Sequence, residues 1–177
     1  ISAIPVAQGV KRFRDVVERN PGADQVIITA RVSGLDTLRL APLKPAPDWR
    51  FIEDIQYCVP QVELVNRVHL NVTDDAYVRD HAWKGSLLFP LVFGLEAMAQ
   101  AACYLTGARD VKGFRFENVD CSRPIPVSEQ EGTLIEIHAL VLEESGGRKV
   151  KVEIFCEQSS FKEPHFSAVV AIDPLAK

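Results

Sequence analysis

The sequence has little of what marks several large protein classes. Its four cysteines, Cys58, Cys103, Cys121 and Cys156, are scattered, with no pair at the spacing of a metal clip or a redox motif. They are expected to be buried free thiols, packed as small hydrophobes. No apolar run reaches the roughly 18 uncharged residues that a membrane span needs, and no basic-plus-apolar leader opens the chain, so a cytoplasmic location is expected. Positive charge is not in excess either. A net charge of -4 offers no electrostatic case for nucleic acid or for an anionic membrane. There is no glycine-rich phosphate loop, no nucleophile elbow, no internal repeat and no low-complexity tract. The first residue is Ile1 rather than Met, and a piece of something longer is expected.

What is present is the material of one core with an appendage: 177 residues, of which 47% are hydrophobic and 25% charged. Val10, Phe13, Val16 and Val17 fall on one stripe of residues 8–19, which predicts an amphipathic helix stopped by Asn20-Pro21-Gly22. The β-branched run from Gln25 to Val32 predicts a strand. One helix and one strand bury each other poorly, so residues 1–40 form an appendage that needs neighbours. Residues 41–50 hold Pro42, Pro45 and Pro47, which favour extended backbone and mark a semi-rigid linker.

Beyond that linker, over residues 51–177, the period changes to two. Strands are predicted from Phe51 to Cys58 and from Gln61 to Val72, around Pro60. In the second, Val62, Leu64, Asn66, Val68, Leu70 and Val72 share one face, and Glu63, Val65, Arg67, His69 and Asn71 the other. Thr73-Asp74-Asp75 reads as a turn. Four more strands are predicted at Gly113–Val119, Thr133–Glu143, Lys149–Glu157 and Phe166–Ile172, with Gly146-Gly147 turning a hairpin between the middle two. Between the two groups lies an almost wholly apolar segment. Pro90 suits the first turn of a helix and Gly107 its left-handed close, so a helix is predicted from Pro90 or Leu91 to near Gly107, buried all round. Strands, a buried helix and then antiparallel strands is α+β order, without alternating βαβ units.

Glu96 and Gln100 interrupt that apolar helix, and a spacing of four places them on one face. A carboxylate there must be paired, hydrogen-bonded or neutralised, because burying it alone is too costly. Just before the helix, His81, Gly85 and Pro90 stand as His-x-x-x-Gly-x-x-x-x-Pro. This resembles the signature of polyketide synthase dehydratase domains. The following Leu95-Glu96-Ala-Met-Ala-Gln100 resembles the helix of fatty-acid 3-hydroxyacyl-carrier-protein dehydratases. The resemblance covers residues 50 to 173, and it departs from the family pattern at Leu91, where a Gly usually follows the Pro. It implies a hot-dog fold, in which a long helix is wrapped by a curved antiparallel sheet. Residues 1–40 resemble, more weakly, the last helix and strand of a ketoreductase domain, and a ketoreductase followed by a dehydratase is the order of iterative polyunsaturated-fatty-acid and enediyne-type synthases; the alternative is that they pack against the hot-dog domain.

The resemblance also implies an activity, the dehydration of a 3-hydroxyacyl thioester. That reaction needs a base for the proton beside the thioester carbonyl, and an imidazole with an ordinary pKa of about 6.5 suits it. His81 is the candidate base. The acid that protonates the departing hydroxyl is either Glu96 of a second copy or an Asp beyond Lys177. For Glu96 in an apolar helix, desolvation is expected to raise proton affinity. Gly85, Phe89, Pro90, Leu91 and Gln100 are expected near the substrate. Gly85 would let backbone approach it, or only make a tight turn, and Gln100 would orient Glu96 or satisfy a backbone group. His69, His138 and His165 are read as structural, and Asn71-Val72-Thr73 as an incidental glycosylation match. No metal is expected, since His81 and Glu96 lack a third ligand, and no cofactor. The implied partners are an acyl carrier protein bearing the substrate on phosphopantetheine, neighbouring synthase domains and a second copy in a homodimer. A hot-dog thioesterase and a non-catalytic hot-dog scaffold are the alternatives.

Overall fold

The computed structural model of the chain describes residues 6–19, 49–108, 111–142 and 148–174. The chain divides into two compact units, Ile1–Arg39 and Leu40–Lys177. In the first, helix α1 spans Val6–Arg19, and Val10, Phe13 and Val17 of its apolar stripe are exposed. The strand expected over 25–32 lies outside the described residues, as do the three linker prolines and the Gly146-Gly147 turn.

The second unit is built on a sheet of six antiparallel strands. They are β1 (Asp54–Val59), β2 (Glu63–Leu70), β5 (Val111–Asp120), β7 (Thr133–Leu142), β8 (Arg148–Cys156) and β9 (Pro164–Pro174), in the order β1-β2-β7-β8-β9-β5. Two short strands, β3 (Ala82–Trp83) and β4 (Ser86–Leu88), join β6 (Pro126–Val127) in a small second sheet that the alternation pattern does not reveal. Helix α2 covers Leu91–Thr106, and Gly107 closes it in the left-handed region at φ 66°, as its sequence predicts.

Alternation decides which side of the sheet meets the helix. On β2, Leu64, Asn66, Val68 and Leu70 are buried, while Arg67 and His69 face outward. The pairing of Leu64 with Ala139, Val68 with Ile135, Ala139 with Val152 and Val152 with Ala168 carries one apolar face across four strands. Against it lie Ala97, Met98, Ala101, Ala102 and Leu105 of α2. Three of those five are alanines, whose small side chains let the helix axis approach the sheet closely. A helix laid along one antiparallel sheet is the arrangement that the resemblance implied.

Two expectations are corrected here. Helix α2 is not buried all round: Val92 is 68% exposed, and Glu96, one turn on, is exposed too. A single sheet covers only one side of a helix, so composition alone overstates burial. Cys121 is exposed, following the last residue of β5, whereas Cys58, Cys103 and Cys156 are buried.

Candidate active site

The spacing of the His-x-x-x-Gly-x-x-x-x-Pro stretch is that of a tight hairpin. A 3-10 turn, Ala76–Asp80, ends on His81, whose N–H donates to the Val78 carbonyl at 3.1 Å. The His81 carbonyl accepts the Leu88 N–H at 2.9 Å, and Ala82 pairs with Leu87 and Trp83 with Ser86. That leaves Lys84 and Gly85 as a two-residue turn with φ of 49° and 81°. Positive φ at both central positions is the type I′ geometry that matches strand twist, and the second position is where Gly is needed. Strand β4 then pairs with β6, and the Phe89 N–H donates to Ile125 at 2.8 Å, which delivers Pro90 as the residue that caps α2. Gly85 therefore stands at an exposed hairpin tip, with the tight turn as its structural reason.

His81 is exposed, and its ring has no hydrogen-bond partner among the described residues. The other three imidazoles each have one. His69 Nε2 meets the Glu131 carbonyl at 2.9 Å, His138 Nε2 meets Glu136 Oε2 at 2.9 Å, and His165 Nδ1 meets the Pro124 carbonyl at 2.9 Å. Thus His81 is pinned through both backbone groups while its ring makes no hydrogen bond among the described residues.

Pro90 is buried and offers no side-chain cap to α2. The N–H groups of Phe93 and Gly94 both turn back to the Pro90 carbonyl at 3.1 Å, whereas those of Leu91 and Val92 have no partner among the described residues. With no acidic side chain in this first turn, the helix start presents a donor pair at the positive end of the dipole. Phe89 lies in the core at 2% exposure, stacked on Phe166 with centroids 6.2 Å apart and edge-on to Phe51 at 5.8 Å.

Glu96 is exposed rather than desolvated, which corrects the expectation that an apolar helix would bury it. Its carboxylate lies on the uncovered flank of α2 and accepts a hydrogen bond from Gln100 Nε2 at 2.9 Å. The amide of Gln100 is itself oriented, because its Oε1 accepts the Phe51 N–H at 2.8 Å. Both roles considered for Gln100 are thus filled at once. Burial pushes the neighbouring Cys103 thiol up, and the negative charge of Glu96 adds to the shift. No hydrogen bond joins His81 to Glu96 among the described residues.

One cluster escaped the sequence reading. Asp75 is fully buried, and its carboxylate accepts from Arg50 Nε at 2.9 Å, Arg50 Nη2 at 2.6 Å, Tyr77 Oη at 2.9 Å and the Asn71 N–H at 3.0 Å. Burial pushes the Tyr77 hydroxyl up, and donation to Asp75 pushes it further. Arg50 stands in the proline-bearing stretch and Asp75 in an apparent turn, where nothing local marks either as the other's partner. A chain of Arg then Asp 25 residues later has no local period, and only the fold reveals the pair. Asn71 of the incidental glycosylation match accepts the N–H groups of Thr73 and Asp74 through its Oδ1 at 3.0 and 2.9 Å, shaping the same turn.

A helix on an antiparallel sheet, fed by a His-bearing hairpin and carrying an oriented carboxylate, defines a hot-dog protein of the dehydratase type. Residues 58–158 match the family described as polyketide synthase dehydratase domain, and the chain belongs to that family. Over 80 residues, 45% of this chain, it is 36% identical to the hybrid PKS-NRPS synthetase apdA of Emericella nidulans, of which that segment is 2%. Among solved structures it is similar to the dehydratase domain from the CurF module of curacin polyketide synthase, with a TM-score of 0.60 and 17% identity. That match covers 73% of this chain and 45% of the solved one. The dehydratase domain of PpsC from Mycobacterium tuberculosis, solved in complex with C12:1-CoA, matches with a TM-score of 0.54 and 19% identity over 72% of this chain and 45% of that one. The dehydratase heterocomplex ApeI:P from Xenorhabdus doucetiae matches with a TM-score of 0.52 and 16% identity, over 75% of this chain and 88% of that one. At these identities the solved structures speak for the fold. The chain spans under half the length of the first two solved domains, and a small part of the synthetase.

Proposed function

We propose that this chain dehydrates a 3-hydroxyacyl thioester to the 2-enoyl thioester, with His81 as the base. The observation that carries the reading is that, of four imidazoles, only that of His81 lacks a hydrogen-bond partner among the described residues while its backbone is held at both groups. An unpartnered ring nitrogen is free to take the proton from the carbon beside the thioester carbonyl. As that C–H bond breaks, charge develops on the carbonyl oxygen, and the unpaired N–H groups of Leu91 and Val92 suit its stabilisation. The electron pair then forms the carbon–carbon double bond, and the hydroxyl leaves as water with a proton from an acid.

The acid is either Glu96 of a second copy or an Asp beyond Lys177. Gln100 favours the first, since an oriented amide holds the Glu96 carboxylate in one place on an open flank. No cofactor takes part. The substrate arrives on the phosphopantetheine arm of an acyl carrier protein within a synthase whose other domains adjoin this one. The acyl-CoA in the PpsC complex carries the same kind of arm. Gly85, Phe89, Pro90 and Leu91 act by shaping the hairpin and the helix start that face the substrate. A two-fold dimer accounts for two open features: among the described residues β5 pairs only with β9 and exposes Phe114 and Val119, and α2 exposes Val92.

The test is conversion of a 3-hydroxyacyl-carrier-protein mimic to the enoyl product. His81→Ala should abolish it, and unimpaired turnover overturns the assignment. Release of free acid instead of enoyl thioester would make the chain a thioesterase. In a chain that turns over, loss of activity in Glu96→Gln identifies the acid as Glu96, and retention places it elsewhere.

A further inference from the structure

The His81 ring makes no hydrogen bond among the described residues, so its place is set through the backbone of the turn that carries it. That turn begins at Asp75. The Asp75 carbonyl accepts the Val78 N–H at 2.9 Å, the Val78 carbonyl accepts the His81 N–H at 3.1 Å, and the Asp75 N–H donates to Asn71 at 2.9 Å. Two anchors hold the turn to the rest of the fold. The Val78 side chain is fully buried, and the Tyr77 ring lies 3.5 Å, centroid to centroid, from Phe93 in the first turn of α2, with 13° between planes. The Tyr77 hydroxyl reaches back to Asp75, and Arg50 closes on the same carboxylate while its Nη2 donates to the His69 carbonyl on β2 at 2.9 Å. One buried carboxylate is thereby tied to β2, to the His81 turn and to the helix whose start is the proposed carbonyl-binding donor pair.

We infer that Asp75, gripped by Arg50 and Tyr77, is a positioning residue that sets the His81 turn against the first turn of α2. The inference rests on the dehydratase reading, and it makes Tyr77 and Arg50 parts of the reaction apparatus without contact with substrate. A buried carboxylate with four donors tolerates little displacement, because every donor it loses leaves charge uncompensated. The rigidity is handed on to His81, where a shift of about 1 Å from productive geometry costs on the order of a hundredfold in rate.

Tyr77→Phe tests this, since it keeps the ring against Phe93 and removes only the hydroxyl. In the 177-residue chain the His81 ring signals should shift and broaden in carbon–proton NMR, with those of His138 and His165 unmoved. Turnover should fall about tenfold in kcat with KM unchanged, since binding is retained and only orientation is lost. Asp75→Asn should do the same more strongly, and Arg50→Lys, which keeps the charge, should recover part of the loss seen in Arg50→Ala. If Asp75→Asn does not fold, Tyr77→Phe still decides. A folded Tyr77→Phe chain with unmoved His81 signals overturns the positioning role whatever its rate. Wild-type turnover by His81→Ala would instead overturn the base assignment beneath it.

Discussion

Gly94 is a helix residue at which the core leaves little room. A Cβ built there would lie 2.7 Å from the ring of Phe166, which is itself buried and stacked on Phe89. Glycine in a helix interior is unfavourable by propensity, and here it makes way for an aromatic ring. Gly94→Ala should therefore destabilise by about 1–3 kcal/mol, as overpacking does, despite its better helix propensity. A lower denaturant midpoint at unchanged slope would show it. On the outer face of the sheet, Glu136 is buried, which alone would push its carboxyl up. Hydrogen bonds from His138 and Arg67 outweigh that and hold it below the ordinary carboxylate value of 4.5. Its contribution to stability is thus complete above that value and is lost as pH falls through the lowered one. Acid unfolding followed from pH 5 downward should be steeper in wild type than in Glu136→Gln, and equal slopes would contradict the pairing.

At the scale of elements, the β3–β4 hairpin converts a sequence motif into geometry. Gly85 at φ 81° has open space around it, so Gly85→Ala meets only the left-handed backbone penalty of about 1–2 kcal/mol. Its effect on thermal unfolding should be small for the molecule, while turnover falls more because the penalty lands on the hairpin that carries His81. Equal loss in Gly85→Asn would argue against the turn, because Asn tolerates positive φ. Helix α2 was legible almost to the residue, since Pro90 and Gly107 end it by local backbone chemistry. Its open flank was not. Whether an apolar position faces a sheet or solvent depends on what stands opposite, and for Val92 and Glu96 nothing in their own neighbourhood of sequence says so.

For the molecule as a whole, the proposed two-fold dimer predicts twice the chain mass in light scattering at micromolar concentration. Val92→Glu should shift the population to monomer and lower the unfolding midpoint only by the lost association, because Val92 lies outside the core. A monomeric wild type would contradict the proposal and leave the flank of α2 to a segment of a longer chain. No helix among the described residues is long and apolar enough to cross a membrane.

Taken alone, the sequence determined what depends on neighbours along the chain: the two periods, the ends of α2, the hairpin spacing around Gly85, and through them the fold and the family. Caps, turns and alternation act over a few residues, so they are written locally. Only the tertiary structure decided what depends on residues brought from afar. It paired Arg50 with Asp75, set Gln100 between Phe51 and Glu96, and left Glu96 in the open while it buried Asp75. Burial and charge pairing are properties of the assembled surroundings, and no single stretch of this chain contains them.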